Sequence, residues 1–250
     1  MSMKPSAVPT MAQPYIPVDQ GIYEESTTAK APVGTRLEVG DRTFYYAQAG
    51  TNLTAGMVAC APAPIAGQAA LAGVATSAGV KEIQVTNTAT VAAVNAYAEG
   101  TLIIATGDGA GAVHRIVSNG TMAATADSTV VLYDEIQTAL TATSLCHMLK
   151  NPYKGVIIGL STAGMPVVVA PVAVTSGNYF WGQTYGYGAP LNQVNTPAAA
   201  AVKLGTGAQV LQAFNGGTTA AVAEAYVIGK NLGTVGTTGG NTPTFIDIRP

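Results

Sequence analysis

Residues 178–188 read Asn-Tyr-Phe-Trp-Gly-Gln-Thr-Tyr-Gly-Tyr-Gly. A strand turns successive side chains to opposite faces, so this stretch places Tyr179, Trp181, Tyr185 and Tyr187 on one side and Gly182 and Gly186 on the other. An aromatic row of that kind serves as a cross-strand ladder in a core or on a sheet surface, as a subunit contact, or as a platform for a glycan. The pattern alone leaves the three uses open. It does commit this part of the chain to a sheet.

Working outward, short β-branched runs recur between turn residues. Lys81-Glu-Ile-Gln-Val-Thr-Asn87, Thr101-Leu-Ile-Ile-Ala-Thr106, His114-Arg-Ile-Val-Ser-Asn119, Thr129-Val-Val-Leu-Tyr133, Gly155-Val-Ile-Ile-Gly159 and Pro166-Val-Val-Val-Ala170 read as strands by length and composition. Asp108-Gly109, Asn119-Gly120 and Asn215-Gly216 are hairpin dipeptides that tolerate positive φ. The expected fold is mainly β, with sandwich-like or barrel-like regions. Two Ala-rich segments, 89–98 and 219–228, are expected as short helices. A break near residues 163–171 suggests a β-rich domain over 51–165 and a second β-rich region over 166–250, packed against it or separate.

The first fifty residues differ. Pro5, Pro9, Pro14, Pro17 and Pro32 punctuate a stretch with no helical or strand period, which predicts an extended arm over 1–50. The arm also collects charge in a chain that has little: Asp19, Glu24, Glu25, Lys30, Arg36, Glu38, Asp41 and Arg42. Such an arm is either a fraying terminus or a docking element that orders against a neighbour. Tyr15, Tyr23, Phe44, Tyr45 and Tyr46 favour docking, because aromatic side chains are enriched at interfaces and scarce in disordered tails.

Composition narrows the function classes. Charged residues make up 10% of the chain, against roughly a quarter in an average globular protein. Eleven scattered Lys and Arg side chains and a net charge of -2 do not form the basic footprint that nucleic acid needs. The most apolar run, 166–174, is too short for a membrane span and carries two prolines. The start lacks the apolar run of a secretion signal, so synthesis in a host cytoplasm is expected. A surface so poor in ions is cheap to cover, since few charges must shed water when copies meet.

Chemistry is hard to assemble from these residues. Gly159-Leu-Ser-Thr-Ala-Gly164 has G-x-S-x-x-G spacing and no helix pattern after Ser161, unlike a nucleophile elbow. His114 and His147, the two imidazoles, sit in or beside apolar runs. Cys60 and Cys146 lie among small apolar neighbours and read as buried inert thiols. Asp134 and Glu135 are adjacent, so a strand turns them apart and they cannot act as a glycosidase pair. Gly107-Asp-Gly-Ala-Gly111 lacks the P-loop lysine and reads as a hairpin tip. No catalytic residue, metal site or cofactor is expected.

Residues 26–50, Ser-Thr-Thr-Ala-Lys-Ala-Pro-Val-Gly-Thr-Arg-Leu-Glu-Val-Gly-Asp-Arg-Thr-Phe-Tyr-Tyr-Ala-Gln-Ala-Gly, resemble the N-terminal region of capsid decoration or cement proteins of tailed bacteriophages. Residues 100–111 and 178–188 are similar to later parts of such proteins. The resemblance implies a β-rich virion protein that binds the outside of a head and cements neighbouring major capsid subunits. It implies subunit contacts near Arg36, Asp41, Arg42, Phe44, Tyr45 and Tyr46, and it brings no catalytic residue. Expected partners are the major capsid protein and copies of the chain itself, with neither nucleic acid nor membrane. The alternatives are a major capsid or tail protein, or a glycan-binding or glycan-hydrolysing β protein.

Overall fold

The computed structural model describes residues 19–158, 165–191, 201–204, 211–213, 227–232, 240–241 and 243–248. The first half carries β1 (Glu25–Ser26), β2 (Arg36–Val39), β3 (Arg42–Ala49), β4 (Val58–Cys60), β5 (Leu71–Gly73), β6 (Glu82–Thr86), β7 (Thr101–Thr106), β8 (Val113–Asn119) and β9 (Asp127–Leu132). There follow β10 (Leu145–Leu149), β11 (Lys154–Ile158), β12 (Pro166–Val169), β13 (Tyr179–Gly188), β14 (Ala201–Leu204), β15 (Leu211–Ala213), β16 (Val227–Asn231) and β17 (Thr244–Asp247). Among the described residues the fold is all-β, in line with the mainly β expectation.

Strands β5 to β10 close into a six-stranded antiparallel barrel in the order β10-β5-β6-β9-β8-β7. Period-two alternation explains it: Ile83 and Val85, Leu102 and Ile104, Val130 and Leu132, Cys146 and Met148 point inward and are buried together. Burial pushes the Cys146 thiol up to about 11, so it stays protonated at neutral pH. The β7–β8 connection is the expected glycine-rich hairpin, with Gly107, Gly109 and Gly111 at positive φ.

The remaining strands form one sheet, in the order β15-β14-β16-β17-β13-β12-β4-β11-β3-β2. A further pairing of β13 with β3 closes β13, β12, β4, β11 and β3 into a second ring. Five strands enclose less room than six, and small inward residues fill this ring: Ala47, Ala49, Ala59 and Ala170 around Val156, Val168 and Phe180. Gly182 shows how tight it is, since a Cβ there would lie 2.4 Å from Val168 Cβ.

The strands group differently from the expected boundaries. Residues 36–49 are not an arm: β3 pairs with β13 through six registered residue pairs and is buried at Phe44, Tyr46, Ala47 and Ala49. The six-stranded barrel is inserted between β4 and β11, so the chain does not divide near 163–171. Instead β12 joins β4, from one side of that break, to β13 on the other. Residues 89–98 form turns rather than a helix, held by the Asn119 side chain, which accepts from Tyr97 N–H and donates to Ala93 O. Asn119 is therefore a buried peg, not a tight-turn residue. Asn215-Gly216, Ser161 and most of 219–228 lie outside the described residues; Val227 and Ile228 begin β16.

Residues 19–35 form a strap across the outer face of β3 and β13. Buried Gln20 donates through Nε2 to Glu24 O and Tyr179 O, both at 2.9 Å, and its Oε1 accepts from Tyr46 Oη at 2.6 Å. Its backbone carbonyl accepts from Trp181 Nε1 at 3.2 Å. Glu25 fastens the strap to the β12–β13 connection, accepting from Thr175 N–H at 2.7 Å and Asn178 Nδ2 at 3.0 Å. Those hydrogen bonds, the Thr175 amide first, hold the Glu25 carboxyl below the ordinary glutamate value. The fastening is therefore complete above the ordinary value of about 4.3 and is lost as pH falls below it through the lowered one. Limited proteolysis within 19–35 should accelerate over that acid window, and Glu25→Gln should flatten the dependence.

Candidate functional site

The two sequence segments singled out as contact regions meet at one place. The β2–β3 hairpin turns through Gly40 and Asp41, with Gly40 at φ +62, the first central position that a II′ turn reserves for glycine. Its turn rests against the second half of β13. Arg36, Glu38, Asp41, Arg42, Tyr45 and Tyr185, with Thr184, Asp247 and Ile248 behind them, line an open groove of about 650 Å³.

A bulge in β13 creates this arrangement. Gln183 pairs with Phe44, but Tyr185 pairs with Thr43, so Thr184 is an inserted residue with no registered partner in β3. Residues directly opposite each other share a face, and Thr43 and Phe44 point opposite ways. Tyr185 therefore lies on the other face from Trp181. The single aromatic row read from the sequence is split in two. Tyr179 and Trp181 turn toward Tyr46 beneath the strap, with ring centroids 6.0 and 4.8 Å from it. Tyr185 and Tyr187 turn to solvent, each edge-on to Phe245. Gln183 holds the bulge from within, donating to Tyr185 O at 3.0 Å and Tyr187 O at 2.8 Å.

The expected contact residues thus separate. Phe44, Tyr46 and Trp181 have no exposed surface and belong to the chain's own core. Tyr45 stacks on Tyr153, centroids 4.8 Å apart, and reaches the groove with its edge. Tyr23 is exposed and accepts from Arg42 Nη1 at 2.9 Å, while the Arg42 guanidinium lies 5.3 Å from the Phe44 ring centre. Arg36 pairs with Glu38 on the exposed strand β2, a contact worth at most about 1 kcal/mol. Tyr15 lies outside the described residues.

This groove presents two guanidinium groups, three carboxylates and two tyrosines, with Ile248 as its one aliphatic residue. That set suits a surface with charge of both signs. Among the described residues, no three His, Cys, Asp or Glu side chains come together as metal ligands. His114 is buried inside the six-stranded barrel and His147 is half-buried on its outer wall, far apart in role from the groove. His114 Nε2, Tyr97 Oη and Gln68 Oε1 are buried with no protein partner, which marks them as places for ordered water. No family model matches the chain, and neither the curated proteins nor the solved structures contain a match to it.

Proposed function

We propose that this chain is a non-enzymatic structural protein of a tailed-bacteriophage head, bound to the outside of the shell and cementing neighbouring major capsid subunits. The observation that carries the reading is the convergence of Arg36, Asp41 and Arg42, from the segment that resembles decoration proteins, with Tyr185 of the aromatic strand in one exposed groove. Segments more than a hundred residues apart in sequence supply charge and an aromatic anchor at a single place, the make-up of an interface core with a polar rim.

The rest of the molecule suits the role. A protein that binds only the assembled shell stabilises it by mass action, and a rigid pair of closed β rings loses little entropy on docking. Outside the groove few ions need desolvation, since charged residues are 10% of the chain.

The test is co-sedimentation with expanded heads that lack this protein. Wild type should saturate them at a copy number fixed by the shell lattice. Arg42→Glu at a half-buried position combined with Tyr185→Ala at an exposed one should weaken binding by about tenfold or more while leaving circular dichroism unchanged. Full occupancy by the double variant would remove the groove from the interface, and no binding by wild type would remove the capsid reading altogether.

A further inference from the structure

The outer wall of the six-stranded barrel is itself two-sided. Along β6 the outward residues are Glu82, Gln84 and Thr86, as expected of a wall facing water. Across β10, β7 and β8 apolar residues interleave with Thr101, Arg115 and His147. The registers set Leu149, Thr101 and Arg115 in one row and His147, Ile103 and Val113 in the next, with Val117 beyond. Val113 is 63% exposed, and Val117, Tyr133 and Leu149 are exposed beside it. An apolar field over adjacent strands is the kind of surface that marks a contact site.

One charged group is fixed in that field. Arg115 Nη2 donates to Glu99 Oε2 at 2.8 Å, Tyr133 Oη donates to Glu99 Oε1 at 2.8 Å, and the guanidinium lies 5.5 Å from the Tyr133 ring centre. Glu99 holds this geometry from a left-handed backbone, φ +65, where a side chain is normally disfavoured. The surrounding turn holds that conformation: Glu99 N–H donates to Ile116 O and Gly100 N–H to Tyr97 O, both at 2.9 Å. Arg115 remains half-exposed, so most of its planar donor fork is unspent. In the cleft beside it, about 450 Å³ and shared by Val113, Pro152 and Tyr153, stands exposed Asp134, which makes no ion pair among the described residues.

We infer that this wall is a two-fold contact between copies of the chain, in which the other copy covers Val113 and Val117 and Arg115 of each copy pairs with Asp134 of the other. The occupant follows from charge complementarity. A patch that carries unlike charges side by side on an apolar ground complements itself when rotated by two-fold symmetry, whereas an exclusively acidic or basic partner would satisfy only one of them. The inference deepens the lattice reading, of which self-contact is one half, yet it is tested without any capsid.

Sedimentation velocity on the purified full chain reads it directly. Wild type should dimerise with a Kd below about 1 mM, and Val113→Lys should weaken the dimer by about tenfold or more, by burying an unpaired charge. Arg115→Glu and Asp134→Arg should each weaken self-association by about tenfold, and their equimolar mixture should recover a heterodimer, since each copy then meets its opposite charge. Circular dichroism confirms that each variant is folded; if Arg115→Glu is not, Val113→Lys and Asp134→Arg decide alone. A wild type that stays monomeric, a dimer indifferent to Val113→Lys, or a mixture that fails to recover association would overturn the inference. Head binding through the hairpin groove with a strictly monomeric wild type would overturn it while leaving the proposed function standing.

Discussion

Trp181→Ala should lower the free energy of unfolding by roughly 3–5 kcal/mol, the range for truncating a large aromatic side chain in a packed core. Trp181 has no exposed surface and packs on Tyr46, Phe44 and Ala31, with Ile22 of the strap and Leu37 of β2 at the edge of the cluster. The site cannot collapse onto the void, because β3 and β13 are locked by registered pairing on both sides of it. The loss also orphans the Gln20 carbonyl, which Trp181 Nε1 satisfies. Urea denaturation followed by circular dichroism measures the change. A shift under about 1 kcal/mol would mean that the strap does not seal this cluster.

The same contacts decide how the N-terminal segment is dissected. Deleting residues 1–42, a natural choice for a free arm, removes the strap and β2 and uncovers Trp181, Tyr46 and Phe44 together. A chain so cut loses its fold along with its contacts, and its failure to bind a capsid would say nothing about docking. Trp181 is the single tryptophan of the chain. Its emission should stay blue in wild type and move red on removal of 1–35, which gives strap docking its own optical signal.

What the sequence made legible was set by how each strand is buried. The six-stranded barrel buries one face of each strand, so alternation such as Glu82-Ile-Gln-Val is a direct image of it. Strand β3 is covered on both faces, by the ring interior at Ala47 and Ala49 and by the strap at Phe44 and Tyr46, and shows no alternation to read. Its neighbours in sequence are prolines and charges, which is why 36–49 reads as an arm. Strands β4 and β5, three residues each, are too short to carry a period at all.

The groove was half visible. Both segments that build it stand out in the sequence, one by charge and one by aromatics, but their adjacency comes from a pairing between residues 43–48 and 179–185 that nothing local encodes. The bulge at Thr184 has no glycine to mark it; Gly186, two residues on, marks a positive φ and a close approach to Asp41 instead.

Gly186→Ala is accordingly the substitution that should disturb the groove most, with an expected cost of about 2–5 kcal/mol from two separate sources. Its φ of +90 excludes a Cβ on conformational grounds, and a Cβ built there would lie 2.5 Å from Asp41 O, a backbone atom of the hairpin turn that cannot swing aside. Gly40 separates the two sources. It too has positive φ, +62, but no atom lies within 4 Å of a Cβ placed on it, so Gly40→Ala carries the conformational cost alone, about 1–2 kcal/mol. Denaturation midpoints for the two variants give the difference, and amide exchange at Asp41 and Arg42 shows whether the turn has lifted from β13. If Gly186→Ala costs no more than Gly40→Ala and leaves exchange unchanged, the hairpin does not rest on β13. The charged and aromatic halves of the groove would then have no common floor on which to meet a shell.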